Sequence, residues 1–140
     1  MIELPRALAE DFIAHARADA PNEVCGLVGV RDGRIVRLER ARNAAPTPRV
    51  RFEIDSRDVV KVIAIEAAGL EVGFYHSHPA SPAYPSPTDV RFARLWPGAL
   101  QLMISLRHDL APGPELHAYR IEGDVAHEEV LRIVDGPVGE

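Results

Sequence analysis

Two histidines separated by one residue, His76-Ser77-His78, are the part of this chain most suited to chemistry. In an extended segment the period of two directs both imidazoles to one side, at a separation that one divalent cation can bridge. Asp89 follows eleven positions after His78, beyond a segment holding Pro79, Pro82, Pro85 and Pro87, and could supply a carboxylate oxygen once the chain turns back. Two neutral imidazoles and one carboxylate make three protein ligands of the open catalytic type, with a fourth position left for water. That donor set suits a single zinc ion, which lowers the pKa of a bound water from ~15.7 to ~7 and so makes hydroxide available at neutral pH. Such a centre needs a base and a donor for the developing oxyanion.

The elements that must position these residues can be read from the pattern. His76 and His78 continue a run, 71–78, in which Val72 and Phe74 lie on the same face by the strand period. The four prolines forbid regular structure over 79–88 and leave a stiff loop with little chain entropy to lose. Ser86-Pro87-Thr88-Asp89 is a strong helix start, with Ser at the cap, Pro at the first position and an acid three after the cap, leading into Val90 to Leu95. Ser86 therefore fits a helix cap as well as any catalytic task.

Upstream, Leu4, Leu8, Phe12 and Ile13 recur at helical spacing and predict a helix from Pro5 to Ala18, stopped by Asp19-Ala20-Pro21. Val24–Val30, the turn Arg31-Asp32-Gly33-Arg34 and Ile35–Leu38 read as a β-hairpin, and residues 43–48 as a loop. Alternation over Val50–Ile54 predicts a half-buried strand. A helix over 56–68 follows, capped by Asp55 or Ser56, with Val59, Val60, Ile63 and Ala67 as its apolar face and Gly69 just past its end. Leu100–Leu106 is an apolar strand, and 115–121 with 125–134 predict a closing hairpin around Gly123. Strands and helices alternate in one α/β layer structure.

The string His76-x-His78, seven residues, Ser86, two residues, Asp89, with an upstream Glu23 before Val24-Cys25-Gly26, resembles the JAMM (MPN-plus) metalloprotease family in its compact prokaryotic form. The likeness spans nearly the whole chain. It implies a single-domain, deaminase-like α/β sandwich with a mixed sheet flanked by helices, occupying residues 1–136, with 137–140 a frayed tail. It also implies that His76, His78 and Asp89 bind one zinc ion, that Glu23 is the general base, and that Ser86 helps stabilise the tetrahedral oxyanion. Taken without the resemblance, Glu23 reads as a surface acid. Thr88 and Ser77 are weaker candidates for the oxyanion donor.

Composition narrows the function. Sixteen basic against twenty-one acidic residues give a net charge of -5, which offers no basic excess for nucleic acid. One cysteine, Cys25, rules out an internal disulfide, a thiolate-rich zinc ribbon and the paired cysteines of nucleobase deaminases; it reads as a small buried hydrophobe. No HExxH is present. The N-terminus has no secretory pattern and no window approaches a membrane span, so a cytoplasmic protein is expected. His15, His108, His117 and His127 lack partners at ligand spacing, and Trp96 and Tyr84 are read as packing aromatics rather than a substrate wall. The family resemblance implies hydrolysis of an amide or isopeptide bond after the C-terminal Gly-Gly of a ubiquitin-like sulfur-carrier protein. A metallopeptidase acting on small peptides and a non-catalytic scaffold of the same fold are the alternatives.

Overall fold

The computed structural model describes residues 1–138, so part of the expected frayed tail, 139–140, lies outside the described residues. The chain runs β1 (Ile2–Pro5), α1 (Arg6–Asp19), β2 (Cys25–Arg31), β3 (Arg34–Ala41), a 3₁₀ turn (Ser56–Asp58), α2 (Val60–Ala67), β4 (Glu71–His78), α3 (Pro87–Ala93), β5 (Leu100–Ser105), β6 (Glu115–Glu122), β7 (Val125–Glu129) and β8 (Leu131–Val134). The strands form one mixed sheet in the order β7-β6-β5-β4-β2-β3-β1-β8. Its two edge strands are consecutive in the chain and separated only by Val130, so the sheet rolls until its edges approach each other.

Period-two alternation divides the interior into layers. On one face, Phe12 and Ala16 of α1 join Val28, Tyr75, Leu100, Leu102 and Ile104. On the other, Cys25, Leu27 and Phe74 pack with Val62 and Ile65 of α2, with Phe92 and Trp96 against them. Next to this layer, Met103 and Tyr119 pack with Ala93 of α3. The expected mixed sheet flanked by helices is what forms. Among the described residues, no helix is long and apolar enough to cross a membrane.

Three expectations need correction. Residues 50–54 are not a strand: only Asn43 and Ile54 form an isolated bridge. The alternation nonetheless reports burial, since Phe52 is buried between exposed Arg51 and Glu53. The helix expected over 56–68 starts with a 3₁₀ turn, and its apolar face is rotated from the one anticipated. Val60 and Ile63 are 62% and 63% exposed, whereas Asp58, Val62 and Ile65 turn inward. Val62 and Ile65 pack into the core on the side that also carries Asp58. The buried Asp58 carboxylate accepts from the Arg42 backbone N–H at 2.8 Å and from its guanidinium at 3.1 and 3.2 Å, with Lys61 Nζ at 3.1 Å. A buried carboxylate must keep such partners, so this pairing reinforces the helix phase that the apolar packing favours.

The third correction concerns the termini. β1 gave too short a signal to read; it pairs parallel to β8 through Ile2↔Leu131 and Leu4↔Ile133. The segment expected as one strand over 125–134 is two. β7 makes the anticipated hairpin with β6 around Gly123, and after Val130 the chain joins β1 instead. Further on, the Pro137 carbonyl accepts from Arg34 Nη2 at 3.0 Å.

The register that matters for chemistry is β2 against β4, antiparallel, with Gly26 opposite Tyr75 and Cys25 opposite His76. The Tyr75 ring lies over Gly26, where a Cβ would collide with it and would lie 2.5 Å from the Glu39 carbonyl oxygen. Gly26→Ala should therefore cost about 1–3 kcal/mol through overpacking. The check is a thermal or denaturant melt, and unchanged stability would contradict this register.

Candidate metal centre

β4 delivers His76 and His78 to the face carrying α2 and α3, while Tyr75 and Ser77 point to the opposite face. The proline loop then reverses the chain and α3 begins, as the sequence predicts, at Ser86. Ser86 Oγ accepts from the Asp89 N–H at 3.1 Å, and Asp89 Oδ2 accepts from the Ser86 N–H at 2.9 Å, a complete capping box. This reciprocal pair fixes the Asp89 carboxylate over the two imidazoles.

Asp89 Oδ2 lies 3.1 Å from His76 Nε2 and 3.0 Å from His78 Nε2, and the two Nε2 atoms are 3.1 Å apart. All three side chains are buried. His78 Nδ1 is 2.7 Å from the Pro82 carbonyl oxygen. A carbonyl can only accept, so Nδ1 carries the proton of the neutral ring and Nε2 presents a bare lone pair. Ligands on a tetrahedron with bonds of ~2.0–2.1 Å lie roughly 3.3 Å apart, close to this triangle. Three lone-pair-bearing atoms in mutual contact away from water fit a cation at their centre.

Glu23 completes the group: one ligand atom from each of Glu23, His76, His78 and Asp89 lies within 4.8 Å of the others. The expectation that this residue alone would read as a surface acid fails, because Glu23 is only 7% exposed. Its backbone is clamped on both sides, with its N–H donating to Pro48 O at 2.7 Å and its carbonyl accepting from Asn43 Nδ2 at 2.9 Å. The next residue is tied to the histidine strand: the Val24 N–H donates to Ser77 Oγ at 2.8 Å, and the Ser77 N–H donates to Val24 O at 3.1 Å. Glu23 Oε1 is buried without a protein partner, so it is free to face an incoming group.

Charge follows this geometry. Burial pushes the Glu23 pKa up to about 7, an effect that His78 opposes and Asp89 reinforces. Burial also disfavours ionised Asp89, but His76, His78 and the Ser86 N–H outweigh it and hold the carboxyl well below its usual range. For His78, burial works against the charged ring, and Asp89 with the Pro82 carbonyl outweighs it, raising the pKa. Without a metal, the triangle therefore attracts a proton, and a metal ion would replace it.

The remaining sequence candidates are placed elsewhere. Ser77 Oγ accepts from the Val24 N–H on the far side of β4, and Thr88 Oγ1 accepts from Arg91 at the exposed side of α3. Cys25 is fully buried, its thiol pushed up to about 12 by burial, and behaves as an inert hydrophobe. His15 Nδ1 is 2.7 Å from the Tyr75 hydroxyl on the α1 face, and His117 pairs with Glu128. Trp96 packs against Phe74, and Tyr84 lies edge-on to Tyr119. Sequence reasoning missed Asn43 and Pro82, which act through an amide and a backbone carbonyl and have no motif of their own. It also missed Phe52, whose signal was its place as the inward residue of an alternating segment.

A sheet between α1 and the α2–α3 layer, with a His-x-His strand facing a Ser-capped aspartate, defines the JAB/MPN class of α/β proteins. The chain belongs to Prok-JAB, the prokaryotic homologs of the JAB domain, which it matches over residues 5–122, and is a hydrolase of the JAMM metalloprotease type. A desampylase of Haloferax volcanii is 40% identical over 127 residues, covering 85% of this chain and 86% of its own. A CysO-cysteine peptidase of Mycobacterium tuberculosis is 37% identical over 132 residues, covering 91% and 88%. The solution structure of protein DSY2949 from Desulfitobacterium hafniense superposes with a TM-score of 0.82 at 35% identity, covering 97% of this chain and 94% of that one.

The raised Glu23 pKa has a sign that can be tested in metal-stripped protein. Between the ordinary value of 4.5 and about 7 the folded chain keeps a proton that the unfolded chain releases. Stability therefore falls as pH rises through that window, and above it the full penalty applies. Glu23→Gln should raise stability at pH 8, by at most about 3 kcal/mol, and change it little at pH 4. Chemical denaturation at the two pH values measures the difference.

Proposed function

We propose that this protein is a zinc-dependent metalloprotease that hydrolyses an amide or isopeptide bond after the C-terminal Gly-Gly of a ubiquitin-like sulfur-carrier protein. The observation that carries the reading is the buried triangle of His76 Nε2, His78 Nε2 and Asp89 Oδ2, 3.0–3.1 Å on each side, with the Glu23 carboxylate beside it. His76, His78 and Asp89 are the residues that would hold zinc; two imidazoles and one carboxylate match its open catalytic sites. Bound there, zinc would supply Lewis acidity and bring a water pKa from ~15.7 to ~7.

The chain's own groups account for the remaining proton and charge movements. Glu23 takes a proton from the attacking water as its oxygen bonds to the carbonyl carbon, and returns it to the nitrogen as the C–N bond breaks. Glu23 is buried beside the ligand atoms with one carboxylate oxygen unpartnered, which leaves a proton acceptor at the centre. Ser86 is half-buried and its oxygen already accepts from the Asp89 N–H. A hydroxyl that accepts through a lone pair keeps its proton to donate, so capping α3 and donating to the scissile oxygen are compatible. The substrate assignment draws on the relatives, a desampylase and a CysO-cysteine peptidase, which each cover more than four-fifths of this chain. Two glycines without side chains would let a carrier's tail approach a centre whose ligands are buried.

Glu23→Gln should retain stoichiometric zinc and lose about 10²–10⁴ in turnover, while Ser86→Ala should lose about 10²–10³. Asp89→Asn should lose zinc itself, read by elemental analysis. The substrate test is mass spectrometry of a panel of carrier proteins extended by one amino acid after Gly-Gly, incubated with the zinc-loaded protein. Release of the added residue supports the reading. Equal cleavage of short peptides points to a general metallopeptidase, and absence of bound zinc points to a scaffold.

A further inference from the structure

The two imidazoles of the centre are held by different means. His78 has the 2.7 Å contact from Nδ1 to the Pro82 carbonyl, the outer-sphere hydrogen bond that orients a metal-binding histidine. His76 Nδ1 is buried and has no hydrogen-bond partner. Its polar contacts are confined to Nε2, toward Asp89 and His78, and no outer hydrogen bond sets the rotation of its ring. What does contact it is Phe52, stacked on the imidazole with centroids 4.5 Å apart and planes 26° from parallel.

Phe52 is itself fixed from two directions. Its ring meets Phe92 edge-on at 4.9 Å, and Phe92 lies on α3, one turn after Asp89. Its backbone neighbours are pinned by one side chain: Asn43 Nδ2 donates to Arg51 O at 3.0 Å, and Asn43 Oδ1 accepts from the Glu53 N–H at 3.0 Å. The same amide nitrogen donates to the Glu23 carbonyl, so the segment that presses on His76 also braces the strand entry carrying Glu23.

We infer that Phe52 is a positioning residue that holds the His76 ring in its ligand orientation, taking by stacking the part that the Nδ1 hydrogen bond plays for His78. The inference rests on the metal reading above for its functional meaning, but the restraint itself is a property of the metal-free protein. It also gives the 43–54 segment a task, since this segment lays a buried ring against His76.

The test compares Phe52→Leu, which keeps apolar volume but removes the stacking plane, with Phe52→Tyr, which restores a ring, and Trp96→Leu, which removes an aromatic from the same cluster without touching His76. Thermal melts establish that each variant is folded. Zinc affinity, measured by competition with a chromogenic chelator, should fall about tenfold or more in Phe52→Leu. It should return to within about threefold in Phe52→Tyr and stay near wild type in Trp96→Leu. In metal-free protein, the imidazole NMR signals of His76 should broaden in Phe52→Leu while those of His78 stay sharp. Equal losses of zinc affinity in Phe52→Leu and Trp96→Leu, or an unchanged His76 ring signal, would overturn the inference. Wild-type protein that binds no zinc but shows the selective His76 broadening would instead remove the metal reading and leave the restraint standing.

Discussion

Holding the Nε2 atoms of His76 and His78 and the Oδ2 atom of Asp89 within 3.1 Å of one another, away from water, costs electrostatic free energy that a positive charge at their centre returns. The surroundings hold His78 and Asp89 by hydrogen bonds from outside the triangle and leave His76 Nδ1 without one. His78 Nδ1 is engaged by the Pro82 carbonyl, and Asp89 is braced by the Ser86 N–H, while Glu23 Oε1 waits without a partner. The rest of the molecule can be understood as the framework needed to keep this unfavourable convergence from relaxing. Strands pinned on both edges, a loop stiffened by four prolines and a helix locked by a capping box each remove a direction in which the ligands could separate.

The centre is assembled from two halves that the chain makes differently. The ligand half is local: residues 76–89 form one strand end, one rigid loop and one helix start, and their geometry follows from period-two alternation and capping chemistry. The Glu23 half is non-local and reaches its place only because β2 lies antiparallel to β4 with Cys25 opposite His76. Ser77 is the joint between the halves, since its hydroxyl and N–H both bond to Val24 from the face opposite the two imidazoles. A serine between the two histidines therefore serves the register rather than the reaction.

That division also explains what could be read from the sequence. The convergence of His76, His78 and Asp89, the cap and the helix after the proline loop follow short-range spacing, and these side chains meet where the spacing brings them. Glu23 carries no local signal, because its burial depends on Pro48 and Asn43, which come to it from beyond the next strand. The rotation of α2 escaped for a related reason: apolar residues lie on both sides of it, and the side that turns inward, with Val62 and Ile65, is the one beside a buried Asp58 bound to Arg42 and Lys61. The parallel pair β1–β8 joins the two ends of the chain and leaves no pattern that four residues could reveal. In each case a polar or long-range interaction overrides a local hydrophobic rule.

The segment between β3 and α2 shows how such an override can serve function. Its alternation correctly identifies Phe52 as an inward residue, yet the segment does not become a strand: pairing stops at the bridge between Asn43 and Ile54, and the Asn43 side chain bonds the backbone on either side of Phe52. A paired strand would fix this backbone to its neighbours along its length. This loop, braced inside its bridge by the Asn43 amide, lays an aromatic ring flat against His76 while the same amide holds the carbonyl of Glu23. The ring of His76 and the backbone of Glu23 are thereby linked through the Asn43 side chain. Such a link keeps the two non-local requirements of the centre in step: the fold that seats Glu23 is the one that seats the ring of His76.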